Sequence, residues 1–263
     1  MTQLQQRSRA FDLAPLPAPP LLDSIDIDFG PRPLLARYMT RAVAEAERAG
    51  VRLVLYRGMA ELAQINREAS GWSPLNPIFE HDPAHPDLER SFSIVGYADD
   101  GDAVATTAAR LVLAITTLKE EAESLRLFYP HESSRPQAGE RCLWQCPKAD
   151  GLSGRIMWSG AEYHRPDYRG RGLSRILPRL ARAIAYAHWG IAYAAGFVRY
   201  PEHYERKLGL AYGFPNSEPL VRWLGSKLGD IDSALCWMDE TELLADLETG
   251  LRDRKARLPE AAD

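Results

Sequence analysis

Tyr168-Arg169-Gly170-Arg171-Gly172-Leu173-Ser174 is the stretch that decides how this chain is read. The residues before it, Gly154 to Tyr163, include Ile156, Trp158 and Ala161 and read as a strand. After it, Leu173, Ile176, Leu177, Leu180, Ile184 and Ala187 recur at three- and four-residue steps, the stripe of an amphipathic helix. Arg175, Arg179, Arg182 and Tyr186 fall on the other face. A strand entering a helix through a Gly- and Arg-rich turn is a phosphate-binding geometry. The first N–H groups of a helix lack partners within it, and the helix dipole favours negative charge there. Gly170 and Gly172 let the main chain approach an anion with no Cβ between. Two other phosphate motifs fail. The dinucleotide fingerprint needs a glycine where Arg175 stands, and no Gly-Lys-Ser/Thr follows for a P-loop. An ordinary Arg-rich surface turn looks the same in isolation, so the surrounding order of elements has to separate the two.

These residues resemble motif A of the GNAT superfamily, the acyl-CoA-dependent N-acyltransferases, written (Gln/Arg)-x-x-Gly-x-(Gly/Ala). Arg169, Gly172 and Ser174 occupy its defined positions, and Pro166 stands where a proline is usual. The resemblance implies that the main chain of Arg169, Gly170, Arg171, Gly172, Leu173 and Ser174 holds the CoA pyrophosphate. It implies that the preceding strand pairs with the pantetheine arm, with His164 beside it, and that acetyl-CoA is the cosubstrate. The chain departs from the pattern in two ways. Ser174 replaces Gly or Ala, and Glu162 and His164 stand on a strand that is usually aliphatic.

Composition bounds the alternatives. The chain has 263 residues, 45% hydrophobic and 26% charged, as expected of a globular protein. Its formal net charge of −4 gives no global basic field for nucleic acid. Cys142, Cys146 and Cys236 cannot all pair and lack metal-site spacing, so they read as free thiols, with no metal expected. No segment reads as a membrane span or secretory leader, which makes a cytoplasmic protein the expectation.

Along the chain, residues 1–33 form a proline-rich N-terminal arm, extended and either disordered or laid on the surface. Residues 34–263 form one acyltransferase-like domain with its core at about 51–238. Leu34 to Ala49 reads as an added helix stopped by Gly50, then Val51 to Tyr56 as a strand and Met59 to Ala69 as a helix. Pro74 and Pro77 keep the next stretch irregular, and Trp72, Asn76 and Phe79 are candidate lining of an acceptor site. Ser91 to Ala98 and Asp102 to Leu113 read as a hairpin turning at Asp99-Asp100-Gly101. Thr117 to Phe128 reads as a helix, and Tyr129 to Leu152 carries mixed loop signals. Beyond the motif helix come a strand at Ile191 to Tyr200, a helix at Pro201 to Tyr212, and strands at Leu220 to Leu224 and Ala234 to Met238. Asp239-x-x-Glu242 caps a last helix. Pro178, inside the motif helix, predicts a kink or irregularity near Ser174 to Pro178. This order matches the family, so the expected fold is α/β and GNAT-like: a mixed central sheet flanked by helices, with an N-terminal arm and extra helix.

Acyl transfer to an amine needs a proton acceptor for the amine, a polarised thioester carbonyl and a proton for the leaving thiolate. The resemblance implies a tyrosine acid in the helix after the fifth strand. The family's Tyr-x-x-x-Gly-Phe fits in two imperfect registers, which rank Tyr204 first and Tyr212 second. Glu162, a carboxylate on a strand expected to be buried, is either the general base or the ion-pair partner of an arginine. His164, two residues on, shares its face of the strand. The acceptor is then a small-molecule or peptide amine, and a homodimer is left open. A CoA-binding sensor or scaffold without turnover is the alternative function.

Overall fold

The computed structural model describes residues 21–69, 71–131 and 135–252. Eight strands form one sheet in the order β1-β2-β3-β5-β6-β8-β7-β4. They are β1 (Arg52–Arg57), β2 (Ser91–Tyr97), β3 (Ala103–Ala114), β4 (Arg141–Trp144), β5 (Gly154–His164), β6 (Tyr193–Arg199), β7 (Asn216–Ser226) and β8 (Gly229–Asp239). Among the described residues only β5 and β6 pair in parallel. The helices are α1 (Arg32–Arg48), α2 (Ala60–Glu68), α3 (Leu118–Glu123), α4 (Leu173–Trp189), α5 (Glu202–Glu205), α6 (Leu208–Ala211) and α7 (Glu240–Arg252). This is the mixed sheet flanked by helices that the resemblance implied.

Each face of the sheet covers its own core. One core joins Leu35, Met39 and Ala42 of α1, the apolar stripe of α4, and Leu243 and Leu247 of α7. The other joins Leu62 of α2, Leu118 and Ala122 of α3, and an aromatic group including Phe128, Trp158 and Trp223. Helix α4 is buried on both sides, since Arg182 and Tyr186 on its far face are enclosed as well. Its amphipathic stripe therefore marks the side that meets the sheet, and not a boundary with solvent.

Several expectations change in detail. Residues 1–20 of the arm lie outside the description. Leu21 is buried, and the main-chain N–H groups of Asp28 and Phe29 donate to Ala187 O, so residues 21–31 pack against the domain. Helix α3 stops at Glu123 and Leu125 takes a positive φ of 67°, so the helix expected to reach Phe128 is half its length. The mixed stretch after it holds β4, which extends the sheet beyond β7. The helix expected over Pro201 to Tyr212 is broken at Lys207, whose φ is 56°. The break lets Gly209 press against β8, where an added Cβ would collide with Cys236 Sγ. Helix α4 runs through Pro178 as one continuous helix, so the proline does not end it. The capping box is present: Glu242 N–H donates to Asp239 Oδ1 at 2.8 Å, and Asp239 N–H to Glu242 Oε2 at 3.0 Å. Cys142, Cys146 and Cys236 are free and buried. No described helix is long and apolar enough to cross a membrane.

Candidate active site

The motif loop follows β5 through one turn of 3-10 helix at Pro166–Tyr168. Gly170 and Gly172 have φ of 78° and 82°, a conformation that disfavours side chains, and an added Cβ on either would meet nothing within 4 Å. Gly172 is the N-cap of α4, and its carbonyl accepts from Arg175 and Ile176 N–H at 3.0 and 3.2 Å. The N–H groups of Gly170, Arg171, Gly172, Leu173 and Ser174 make no hydrogen bond among the described residues. They form an open cluster of donors at the positive end of a 17-residue helix. Arg165, pairing with Asp102 and Asp167, fastens the loop. Arg171 also acts as a fastener at its side chain. Its guanidinium donates to Ala49 O and Asp167 O and lies 4.0 Å from the Tyr168 ring centre, which leaves only its main chain for an anion. Arg169 is exposed and reaches back to His164 O at 3.3 Å.

Behind the loop the sheet opens. Strands β5 and β6 pair from Ile156/Tyr193 to Ser159/Gly196 and no further, although β5 runs on to His164 and β6 to Arg199. The strands close tightly just before they part. Ser159 Oγ donates to Ala195 O at 3.2 Å, and a Cβ on Gly196 would sit 2.8 Å from Ser159 O. Beyond Ser159, the β6-facing edge of β5 has no strand partner among the described residues, so it offers main-chain groups to an extended ligand.

A β-bulge sits at this opening. Ala108 faces Gly160 and Thr106 faces Tyr163, so Ala161 and Glu162 together oppose Thr107. Ala161 takes a φ of 53°, and its carbonyl accepts from Thr106 Oγ1 at 2.8 Å. An extra residue reverses the alternation of every side chain after it. Glu162 and His164 therefore share the α4 face, as expected, while Tyr163 turns to the α2 face and stacks on Trp72 at 4.8 Å.

Glu162 makes no ion pair among the described residues; Thr107 Oγ1 donates to its Oε1, and Oε2 is buried without a partner. The expected pairing with an arginine is not formed. Burial pushes the carboxyl up to about 8, against smaller opposing effects of the Thr107 hydrogen bond and the Arg182 charge. His164 Nε2 is likewise buried and unpartnered. Burial, then the Arg169 charge, lowers its pKa to about 4, so the ring is neutral near pH 7. Tyr212 is drawn into the same group. Its phenol is raised well above the usual tyrosine range by burial, then by the Glu162 and Cys236 charges. Arg182, 0% exposed, holds the Tyr212 carbonyl at 2.6 Å and lies 4.7 Å from the Phe214 ring centre. Tyr204, on α5, is half-buried against the same core as Tyr212, with its ring 5.7 Å from that of Tyr200.

On the opposite face, Phe79 closes the point where the strands part. A Cβ on Gly160 would lie 2.7 Å from its ring, so only glycine permits this approach. Trp72 and Phe79 thus wall this side of the opening. Asn76 does not line it: its Oδ1 accepts from Ile78 N–H at 3.2 Å and caps the short turn that holds Phe79. Reading the sequence did not single out Thr107 or Phe79's contact with Gly160. Both depend on partners distant in the chain.

No protein-family model matches this sequence, and no curated protein matches it. Solved structures of similar fold include mutant forms of the spermidine/spermine N-acetyltransferase SpeG from Vibrio cholerae. That match has 11% identity and a TM-score of 0.45, covering 75% of this chain and 98% of that one. Mycobacterium smegmatis RimJ in complex with CoA-disulfide matches at 14% identity, over 78% and 91%, with a TM-score of 0.43. Arabidopsis thaliana NAA60 in complex with a bisubstrate analogue matches at 14% identity, over 71% and 97%, with a TM-score of 0.42.

Proposed function

We propose that this chain is a GNAT-type acyl-CoA-dependent N-acyltransferase that moves an acetyl group from acetyl-CoA to an amine. The observation that carries this reading is the alignment of two features. Unpartnered N–H groups from Gly170 to Ser174 stand at the head of α4, and the strand leading to them parts from its neighbour after Ser159. Donors at a helix start suit a pyrophosphate, and an unpaired strand edge suits the amide-bearing arm attached to it. Acetyl-CoA, when bound, supplies the activated thioester. His164 is neutral and faces the arm's course, which avoids a charge beside an uncharged chain.

Glu162 is the proton acceptor this site offers, reaching the amine directly or through one water. For the acid we take Tyr212 ahead of Tyr204, on its electrostatic coupling to Glu162. Tyr212 lies in the field of Glu162, which places it by the proton acceptor. Burial and that charge raise its pKa, so it is a weaker acid than a free tyrosine and its advantage is position and not acidity. Tyr212→Phe is expected to lower kcat about a hundredfold, in the range of general acid catalysis, with acetyl-CoA affinity retained. Tyr204→Phe should change kcat by no more than about threefold. Steady-state rates of the two variants check this, and the reverse order would return the acid to Tyr204.

The function itself is tested by calorimetric titration with CoA, followed by acetyl-CoA turnover across a panel of amines. Tight CoA binding with thiol release that depends on an amine is the expected result. CoA binding without turnover on any amine would favour a sensor or scaffold, and NAD binding in place of CoA would remove the reading.

A further inference from the structure

The β7–β8 hairpin overhangs its neighbour. Strand β6 ends at Arg199, opposite Ser233, whereas the hairpin continues to its turn between Ser226 and Gly229. The overhang carries Lys227 across the open end of the β5–β6 gap to Glu80, with which it pairs. Glu80 directly follows Phe79, the residue seated on Gly160 where the strands part. Lys227 and Glu80 both line a cavity of about 660 Å³.

The walls of this cavity differ in character. Ala63, Leu75 and Leu228 supply an apolar side, and Arg67 and Lys227 a basic one, with the His81 ring beside them. Glu80, the carboxylate in its lining, is already paired with Lys227. Arg67 projects from α2, exposed and with no salt bridge among the described residues. His81 Nδ1 is buried without a hydrogen-bond partner. A ligand carrying only an amine and hydrocarbon would meet uncompensated positive charge here. A ligand that also carries a carboxylate would neutralise it and satisfy the buried nitrogen.

We propose that this cavity receives the acceptor, and that the acceptor is an amine bearing an apolar side chain and a carboxylate, as in an aliphatic α-amino acid. The proposal rests on the acyltransferase reading above. Arg67 and His81 take the carboxylate, Leu75 and Leu228 the side chain, and the amine is left on the Glu80 side, next to the Phe79 ring that would have to turn aside to admit it to the gap. The step balances without a further reactant. The amine nitrogen forms the amide bond as the carbon–sulfur bond breaks, the amine proton passes to Glu162, and the thiolate leaves as thiol with a proton from Tyr212.

Leucine and leucinol, which differ in carboxylate against hydroxymethyl, are the probes. Each is titrated calorimetrically into the full-length protein, with and without saturating CoA, after CoA itself has been titrated alone. Leucine is expected to bind about tenfold or more tighter than leucinol, the usual scale for a charge-assisted hydrogen bond. Arg67→Gln, a change at an exposed helix position, should bring leucine down to the level of leucinol. Equal or tighter binding of leucinol, binding of neither, or a preference that survives Arg67→Gln would each overturn the proposal. If CoA binds in those same samples, only the acceptor assignment falls. If CoA does not bind to the wild-type chain, the acyltransferase reading falls with it.

Discussion

Glu162→Gln is expected to lower acetyl-transfer turnover about a hundredfold or more, the scale of losing a general base, with CoA affinity retained. Gln keeps the size of the side chain and can still accept the Thr107 hydrogen bond, so the substitution removes titration and little else. In the wild type, burial raises the carboxyl to about 8, so the basic form gains population as pH rises through that value. The rate should climb across the same interval, and the climb should vanish in the variant. Stability should move the opposite way. A carboxyl whose pKa is higher in the folded than in the unfolded chain binds its proton more tightly when folded. Its stabilising contribution is complete below the ordinary value of 4.5 and is lost as pH rises through about 8. Urea midpoints at pH values on either side of 8 should therefore fall more in the wild type than in Glu162→Gln. A flat wild-type rate profile through that region would remove Glu162 from the chemistry.

Ser174→Asp should separate binding from folding at the motif loop. Ser174 sits in the first turn of α4, half-exposed, and its hydroxyl makes no hydrogen bond among the described residues. A carboxylate in the first turn interacts favourably with the helix dipole, so the melting temperature should hold or rise slightly. The same carboxylate would face the site proposed for the pyrophosphate, and like charges in close contact should weaken CoA binding about a hundredfold or more. Calorimetry and a thermal melt on one preparation check both halves. Gly172→Val is a poorer probe, because valine strongly resists the positive φ of 82° held there and would strain the loop itself. CoA affinity unchanged in a folded Ser174→Asp protein would move the anion site elsewhere.

Much of the fold was legible because its signals are local. The three- and four-residue spacing from Leu173 onward, with paired glycines before it, specifies a helix entered through a left-handed turn, and Gly172 caps it so. Asp99-Asp100-Gly101 specifies the β2–β3 hairpin because its glycine supplies a φ of 90°. Asp239 and Glu242 cap α7 from three residues apart. Each of these signals is complete within a few residues of chain.

The chemistry of the site depends on contacts that are not local. Glu162 and His164 share a face by simple alternation, and the sequence alone implied it. Which face they share follows from the bulge at Ala161, which exists because two residues of β5 oppose Thr107 of β3, 55 residues away. The missing ion pair has the same origin: the bulge aims Glu162 at Thr107, while Asp246, the Tyr212 carbonyl and the Phe214 ring engage Arg182. Spacing ranked Tyr204 ahead of Tyr212, but it could not register the break at Lys207, which goes with the close approach of Gly209 to Cys236 on β8. The basic cavity joins α2, the turn after Phe79 and a hairpin tip at Lys227, three segments with no shared pattern. Sequence alone determined the loop, the helix and the chain order of the strands other than β4, since periodicity and turn chemistry act between near neighbours. Tertiary structure decided which groups meet, since register, burial and pKa arise only when distant strands and helices close on one another.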